Sequence, residues 1–301
     1  MNALTVDVED YHNVFARDRL GRDGPPTRAV VRNTQKLLDL FAEAGVRGTF
    51  FLLGEVAECF PQLIRDIAAG NHELAVHGYH HRQVFKLSPD EFRREVADAK
   101  ARIEDLIGNP VKGHRAPAFS IMPQTRWALE VLVEVGFRYD SSIFPIAGRR
   151  YGWPGFPLDI HKIPLETGRQ IIEVPLSTIS LLGKRLPSCG GGYLRHFPGF
   201  VTRWAMRRVA QKRPAVLYMH PYEIELDAPA IETAHLDWAT ARRVRWIHRL
   251  QLRNRRTVET KIARLLSEFR FAPMREVIDH ALGTHSADNQ VAPQTHGPDS
   301  K

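Results

Sequence analysis

The sequence predicts an α/β fold built around a parallel sheet or barrel. Two observations carry this prediction: short apolar runs alternate with segments of helical periodicity, and glycines stand at the junctions between them. Strands that alternate with helices pack as a parallel sheet with the helices outside, and the loops that follow the strands gather at one end. Active sites of such folds lie at that end, so polar residues that follow predicted strands are the candidates for chemistry.

Strand–helix units can be followed from the first residues to position 139. Strands are predicted at residues 3–8, 48–53, 73–76 and 137–139, with a short one before His114, and helices at 29–44, 61–69, 88–107 and 123–135. The third helix has the most specific start, because Ser88 can cap it, Pro89 suits its first turn and Glu91 can close a capping box. A further strand at 214–219 ends at His220.

The remaining segments divide the chain. We expect a catalytic domain at residues 1–225 and a helical extension, packed on it, at 226–282. Residues 283–301 are polar, with little to bury, and predict a disordered tail.

Size and composition indicate a globular protein. The chain has 301 residues, 43% hydrophobic and 25% charged, and contains no apolar run near the roughly 20 residues that span a bilayer. Cys59 and Cys189 are its two cysteines, which excludes a disulfide framework and argues against a cysteine metal site. The first residues lead directly into acidic ones without an export signal, so the cytoplasm is the expected compartment.

The charge is +8, from 42 basic and 34 acidic residues, and much of the excess lies late in the chain. One interpretation is solvated helix faces; the other is attraction to an anionic membrane surface or a phosphate-bearing glycan carrier. Nucleic acid is the weaker candidate, because no recognised binding motif accompanies the charge. The late basic residues are Arg203, Arg207, Arg208, Lys212, Arg213, Arg242, Arg243, Arg245, Arg249, Arg253, Arg255 and Arg256.

The first chemically capable group is His77-Gly78-Tyr79-His80-His81, which follows a predicted strand. His77 and His81 are four residues apart and could face one metal ion if the segment forms a helical turn. The alternative is a solvated histidine-rich loop.

The second group is Asp7-Val8-Glu9-Asp10, at the end of the first strand. Side chains alternate along a strand, so Asp7 and Glu9 project to the same side and Asp10 to the other. Carboxylates at the end of an apolar strand need a cation or a partner. One of them could bind a metal ion while another acts as a base, and a capping role is expected for Asp10.

The third group is the loop from His114 to Ser120. Arg115 could form a two-pronged pair with a carboxylate, and Pro117 could stiffen the loop so that a following backbone N–H binds an oxyanion. By itself this pattern is weak, because arginines in loops are usually exposed.

Taken together and in order, these residues resemble the polysaccharide deacetylases with a NodB homology domain, also called carbohydrate esterase family 4. The resemblance covers about residues 1–225 and rests on Asp7-x-Glu9, His77-x-x-x-His81, Arg115-Ala116-Pro117 and a strand-terminal His220. The Asp-Val-Glu-Asp-Tyr opening, Arg-Ala-Pro-Ala-Phe-Ser and Gly190-Gly191-Gly192-Tyr193 are most similar to a subgroup associated with bacterial exopolysaccharide loci, which has an extra C-terminal region. The fold it implies is a distorted (β/α) barrel with a helical C-terminal extension.

The resemblance also implies roles for individual residues. Asp7 would be the general base, His220 the general acid, and Glu9, His77 and His81 the metal ligands. Arg115 would hold Asp7, and the backbone N–H of Ala118 would face the oxyanion. This chain departs from the commonest pattern of two adjacent aspartates, which leaves Asp10 open as an alternative ligand. The family's later Asp–Trp motif is not evident, and Asp140 is the nearest candidate.

The function implied is metal-assisted removal of N-acetyl groups from a polysaccharide or a lipid-linked precursor, in exopolysaccharide biosynthesis. Zinc suits a His–His–carboxylate set, with cobalt, nickel or manganese as alternatives. The expected partner is an N-acetylated glycan, without nucleic acid, and the expected location is the cytoplasm, including the inner face of the membrane. Three alternatives stay open: hydrolysis of a small ureide or imide, a non-catalytic carbohydrate-binding module, and nucleic-acid binding.

Arginines recur at helical intervals in the extension. Arg242, Arg245, Arg249, Arg253 and Arg256 predict one basic stripe, on a helix that packs on the barrel through Leu236, Trp246 and Leu250. The stripe is expected either to solvate the helix or to bind an anionic surface.

Overall fold

A computed structural model of the chain describes residues 1–148, 151–227 and 231–283. Within these residues the chain forms eleven strands and eleven α-helices. The strands are β1 Asn2–Val8, β2 Thr49–Leu52, β3 Glu73–Val76, β4 Gly113–His114, β5 Tyr139–Asp140, β6 His161–Pro164, β7 Gln170–Glu173, β8 Thr178–Leu181, β9 Lys184–Pro187, β10 Val216–Met219 and β11 Phe271–Ala272. The helices are α1 Tyr11–Phe15, α2 Arg28–Glu43, α3 Gly54–Cys59, α4 Pro61–Ala69, α5 Pro89–Ile107, α6 Ala128–Val135, α7 Gly191–His196, α8 Gly199–Ala210, α9 Trp238–Leu252, α10 Val258–Glu268 and α11 Met274–Leu282.

Nine strands form one sheet in the order β10-β1-β2-β3-β4-β5-β7-β6, with β11 also paired to β1. All the pairs are parallel except β6 with β7. Strands β8 and β9 form a separate antiparallel hairpin. The sheet curls into part of a barrel, which confirms the predicted α/β architecture.

Both faces of the sheet are buried, as expected of parallel strands. Along β1, Leu4, Val6 and Val8 belong to the core between the sheet and the outer helices. Ala3 belongs to a second core inside the curl, where Met274 and Val277 of α11 also pack. The extension therefore supplies both a strand of the sheet and part of its inner core.

The predicted elements agree well with the observed ones through residue 107. Helix α4 and strand β3 have the predicted bounds. Helix α5 begins with the complete capping box of Ser88 and Glu91 and ends at Gly108, whose φ of 67° is left-handed. The helix predicted at 123–135 is divided, because residues 123–125 form a 3-10 turn before α6 begins at Ala128.

Helix α9 packs through a different face from the one predicted, although Leu236, which precedes the helix, packs against the core as expected. Its buried residues are Ala241, Val244 and His248, whereas Trp246 is 62% and Leu250 39% exposed. The predicted basic stripe is also shorter than expected, because α9 ends at Leu252, and Arg253 and Arg256 lie beyond it. Apolar residues occur on two faces of the helix, and the face with the smaller side chains packs against the barrel.

No helix within the described ranges has the length and apolarity that crossing a membrane requires. The predicted disordered tail lies, apart from Gly283, outside the described residues.

Candidate active site

Polar side chains from four strands meet where those strands end. Asp7 and Glu9 lie at the end of β1, His77 follows β3, Arg115 follows β4 and His220 follows β10. Strand β1 pairs with β10 through Val6 and Met219, so His220 emerges beside the β1 carboxylates. The intervening strand β2 contributes an aromatic ring, Phe51, which lies 4.1 Å below the Arg115 guanidinium.

Arg115 and Asp7 form a buried ion pair. Arg115 Nη1 donates to Asp7 Oδ1 at 2.7 Å and to Thr5 Oγ1 at 2.9 Å, and both ionic side chains are buried. Arg115 Nε also donates to the Ser141 carbonyl at 3.0 Å. In a flat sheet, β1 and β4 would be about 14 Å apart, so the curl of the sheet makes this contact possible.

Glu9, His77 and His81 form a buried group that could hold a metal ion, the candidate metal cluster. One ligand atom from each lies within 4.8 Å of the others. Glu9 Oε2 is 2.6 Å from His81 Nε2 and 3.9 Å from His77 Nε2. The 2.6 Å approach to His81 lacks hydrogen-bond geometry, and no other described residue donates to Glu9 Oε2. A carboxylate oxygen and two imidazole nitrogens that converge in this way are typical of a cation site.

The second nitrogen of His77 is fixed by the backbone. His77 Nδ1 lies 2.8 Å from the Arg115 carbonyl oxygen, to which only a protonated nitrogen can donate. The opposite nitrogen, Nε2, is therefore left as the acceptor and faces Glu9. Burial lowers the pKa of His77 to about 4, so the neutral form predominates at neutral pH.

The segment that carries His77 and His81 is a loop rather than the helical turn on which the prediction depended. Gly78 has φ of 82° and His81 φ of 55°. Glu95 Oε2, from α5, accepts from the backbone N–H groups of Tyr79 and His80 at 3.0 and 3.1 Å. The left-handed residues bend the loop back, and Glu95 stabilises the bend. Both histidines therefore face Glu9 without a helical turn.

Asp10 has the predicted capping role. Its carboxylate accepts from the Asn13 N–H at 3.3 Å and from the Thr27 N–H at 2.7 Å. These bonds direct the Asp10 side chain to the N-terminus of α1 and away from His77 and His81. Glu9, and not Asp10, is thus the carboxylate that the structure brings to the two histidines.

Charges in the pocket shift the pKa values of Glu9 and His81 in opposite directions. Burial raises the pKa of Glu9, but His81 and His220 lower it more, so the net shift is downward. Burial lowers the pKa of His81, whereas Glu9 raises it, with a net rise. The buried Glu9 carboxylate is therefore stabilised in its ionised form by positive neighbours, and a divalent cation would stabilise it in the same way.

His220 faces both carboxylates of β1. Its Nε2 lies 3.9 Å from Asp7 Oδ2 and 3.7 Å from Glu9 Oε1. Burial lowers the pKa of His220, but Glu9, Glu223 and Asp7 raise it to about 9. His220 is accordingly an imidazolium at neutral pH and has a proton to donate.

Glu223 is a site residue that the sequence interpretation missed. Its Oε2 accepts from the His220 backbone N–H at 3.1 Å, and its Oε1 lies 3.6 Å from His220 Nδ1 and 3.2 Å from Arg195 Nε. The spacing of three residues after His220 was the available signal. Arg195 gave no signal, because α7 was not predicted.

Asp140 lies away from these groups. It accepts from Ser142 Oγ at 2.7 Å, and its Oδ1 lies 2.7 Å from His114 Nδ1. Both Asp140 and His114 are buried, so their pair is structural and joins β4 to β5.

Above these groups lies a pocket whose walls come from distant parts of the chain. Ala118, whose φ of 53° is left-handed, lines it. Several other lining residues were not singled out from the sequence, because hydrophobic and single polar residues carry no motif. They are Tyr11, Val14, Phe15, Asp18, Arg19, Phe119, Tyr151, Tyr222 and Gln251.

Comparisons with known proteins agree with this arrangement. Residues 23–139 match the model of the polysaccharide deacetylase family, and residues 141–279 match a domain of unknown function, DUF3473. The second match includes the predicted helical extension but begins well before it, and the predicted boundary at 225 stays a prediction.

Similarity to individual proteins is partial. The chain is 36% identical to a peptidoglycan-N-acetylglucosamine deacetylase of Bacillus cereus over 109 residues. These residues are 36% of this chain and 38% of the Bacillus cereus protein. It is 37% identical to a chitooligosaccharide deacetylase of Sinorhizobium fredii over 70 residues. These residues are 23% of this chain and 33% of the Sinorhizobium fredii protein. The matches thus span well under half the length of these relatives.

Solved structures share the fold over nearly the whole chain. A candidate polysaccharide deacetylase from Mycobacterium smegmatis has a TM-score of 0.57 at 20% identity, covering 99% of this chain and 94% of that one. A mutant of a CE4 family pseudoenzyme with restored enzymatic activity, from Bacillus anthracis, has a TM-score of 0.50 at 15% identity, covering 93% and 67%. Residues 23–139 therefore match the polysaccharide deacetylase family and residues 141–279 the domain of unknown function, while the fold is shared over nearly the whole chain.

Proposed function

We propose that the chain hydrolyses N-acetyl groups of a glycan with the help of a divalent metal ion. The observation that carries this proposal is the position of the candidate metal cluster beside the Arg115–Asp7 pair and His220. A possible base, a possible acid and three ligands thus share one pocket at the carboxyl ends of parallel strands, where such folds carry their chemistry.

The residues present fit a metal ion. Glu9 Oε2 lacks a hydrogen-bond partner among the described residues, and His77 is held with one nitrogen free. Lewis-acid polarisation of a carbonyl and acidification of water are the chemistry that a divalent ion supplies in such a site. Zinc suits two imidazoles and a carboxylate, with cobalt, nickel and manganese as the alternatives.

Asp7 and His220 would move the protons. Arg115 donates to Asp7 Oδ1, which leaves Oδ2 to accept a proton from the attacking water. The C–N bond of the amide then breaks, and His220 Nε2 would protonate the departing amine, which leaves acetate and a free amino group. The backbone N–H of Ala118 is proposed to stabilise the oxyanion.

Glu223 would act through His220. It holds the His220 backbone N–H and lies near Nδ1, so it favours the orientation in which Nε2 faces the β1 carboxylates. Arg195 lies on the other side of Glu223 and fixes that carboxylate in turn. Glu223 and Arg195 are thus proposed as positioning residues.

The proposed substrate is a polysaccharide or a lipid-linked glycan precursor of exopolysaccharide biosynthesis, handled on the cytoplasmic side of the membrane. Two relatives of the chain are a peptidoglycan-N-acetylglucosamine deacetylase and a chitooligosaccharide deacetylase, which supports an N-acetylated sugar as the substrate class. The resemblance to the exopolysaccharide subgroup supports the pathway.

The decisive experiment is acetate release by the purified chain, combined with metal analysis. The panel contains N-acetylglucosamine oligomers and peptidoglycan, assayed for acetate, and allantoin, which has no acetyl group and is assayed for ring opening. Each is tested before and after chelation and after metal is restored. Metal-dependent acetate release from a glycan supports the proposal. Turnover of allantoin alone would show that the site hydrolyses small amides instead. Glycan binding without turnover, whichever metal is supplied, would show that the chain is a binding module.

A further inference from the structure

Helix α9 presents a basic and aromatic face to solvent, here called the interfacial face. Trp238 is 71% exposed, Trp246 62% and Leu250 39%, and steps of four residues place them on one ridge with Arg242. Arg249 flanks this ridge and is exposed, as is Arg253, the first residue after the helix. The opposite side of the helix is the one that packs on the barrel, so packing does not account for the tryptophans.

The charge on this face is of one sign. The sequence of α9, WATARRVRWIHRLQL, contains no aspartate or glutamate. Among the described residues, no carboxylate oxygen lies within 4.0 Å of the guanidinium groups of Arg242, Arg249 or Arg253. The Arg242 guanidinium lies over the Trp238 ring, 5.4 Å from its centroid. Solvated helix faces usually mix both signs, which this face does not.

Exposed aromatic residues also occur on α8. Phe200, on α8, is 71% exposed and Trp204, one turn later, is 48% exposed. Phe200 and Arg256, which follows α9, line the same shallow groove together with Lys261 and Arg264. Aromatic and basic side chains thus occur around this groove as well, although Arg203 and Arg264 there are paired with Glu268.

We propose that the interfacial face docks the protein on the surface of an anionic lipid bilayer. Tryptophan rings settle at the level of the lipid headgroups, and arginines pair with lipid phosphates, so an arginine–tryptophan helix lying in the interface satisfies both. A convex helix suits a bilayer better than it suits one sugar chain, which is usually bound in a groove. A second copy of the chain is disfavoured, because a symmetric contact would place arginines against arginines.

Docking would bring the candidate active site close to the bilayer. Gln251, in the last turn of α9, lines the pocket and accepts a hydrogen bond from Tyr11 on the packed side of the helix, so docking through the opposite face leaves the pocket one helix diameter, about 10 Å, from the bilayer surface. A glycan carried on a lipid would be presented at that position. The docking itself does not depend on the deacetylase activity.

The test is flotation of the purified chain with vesicles of phosphatidylcholine, with and without an equimolar amount of phosphatidylglycerol, at low and at raised ionic strength. We expect binding to the anionic vesicles only, weakened by salt, with a blue shift of tryptophan fluorescence. Exchanging Arg242, Arg249 and Arg253 for glutamine should weaken vesicle binding by about 100-fold, from the usual contribution of one basic residue near the surface. Exchanging Trp238 and Trp246 for alanine should remove most of the blue shift and the binding that survives added salt.

A matched control removes three positive charges elsewhere. Lys36, Arg65 and Arg94, exposed on α2, α4 and α5, are exchanged for glutamine together, and this variant should bind as the wild type does. Circular dichroism checks folding, and turnover of a soluble acetylated oligomer should be unchanged in every variant. The proposal is overturned if the wild type does not bind anionic vesicles at low ionic strength, if the control weakens binding equally, or if duplex DNA binds as tightly through the same arginines. A dimer in solution that the Trp246 exchange dissociates would assign the face to a second copy instead.

Discussion

The Arg115 guanidinium reaches Asp7 Oδ1 at 2.7 Å, across 108 positions of sequence. Both side chains are buried, and the same nitrogen of Arg115 also donates to Thr5. The pair ties β1 to β4 and leaves only one oxygen of Asp7 available for chemistry. Asp7 can therefore be altered at that oxygen without breaking the bond to Arg115.

Asp7→Asn should abolish most activity but keep the metal and the fold. The amide oxygen of asparagine can still accept from Arg115, whereas an amide cannot remove a proton from water. We expect turnover to fall by about 10²- to 10⁴-fold, the usual contribution of a general base. Near-normal turnover in a correctly folded, metal-loaded Asp7→Asn protein would remove Asp7 from the mechanism.

The candidate metal cluster predicts which variants lose metal. Glu9→Ala and His77→Ala should each lose bound metal together with activity, because each removes one of three ligands. Asp10→Ala should keep a full equivalent and lose about 1 kcal/mol of stability, since its carboxylate caps α1. Mass spectrometry of bound metal and urea unfolding measure both effects. If Glu9→Ala retains metal at unchanged affinity and Asp10→Ala does not, the assignment of the carboxylate ligand is wrong.

Glu223→Gln should lower kcat with little change in KM. Glutamine can still accept from the His220 backbone but removes the charge beside Nδ1, so His220 is less well oriented and less readily protonated. A loss of about 10- to 100-fold is expected, as for other residues that orient a functional histidine. Glu225 is a matched control, because it is also buried and lies near Arg255. An equal kcat loss in Glu225→Gln would mean that Glu223 acts through general stability alone.

His72 should make stability depend on pH far from the active site. Its Nδ1 accepts from the Gly48 N–H at 3.1 Å, and burial, assisted by Arg47, lowers its pKa from 6.5 to about 4. Between these values the unfolded chain binds a proton that the folded chain does not, so the free energy of unfolding falls as the pH falls. The His72 contribution at pH 5 should be lower than at pH 7 by on the order of 2 kcal/mol.

Urea unfolding of the wild type and of His72→Gln at the two pH values isolates this contribution. Glutamine does not titrate, so the variant should lose less stability than the wild type on acidification. The difference between the two pH dependences belongs to His72, since other titrating groups are common to both proteins. Equal pH dependences would contradict the prediction.

The sequence by itself determined the local elements and the identity of the groups that could react. Ser88 and Glu91 fix the start of α5, because a capping box is made of residues three apart. The alternation of strands and helices predicted the sheet, and the polar residues after the strands predicted the end at which the pocket lies. These inferences depend on contacts between residues that are close in sequence.

The tertiary structure decided which side chains from distant parts of the sequence contact each other. The bend that brings His81 back to Glu9 depends on Glu95 of α5. The Asp10 carboxylate that caps α1 also accepts a hydrogen bond from the Thr27 N–H. Neither contact follows from local spacing. Periodicity likewise predicted a helix here, but neither its end at Leu252 nor the face that packs inward, because Ala241 and Val244 lie on one face and Trp246 on another. The space available against the barrel admits the smaller side chains, and the tryptophans are left facing solvent.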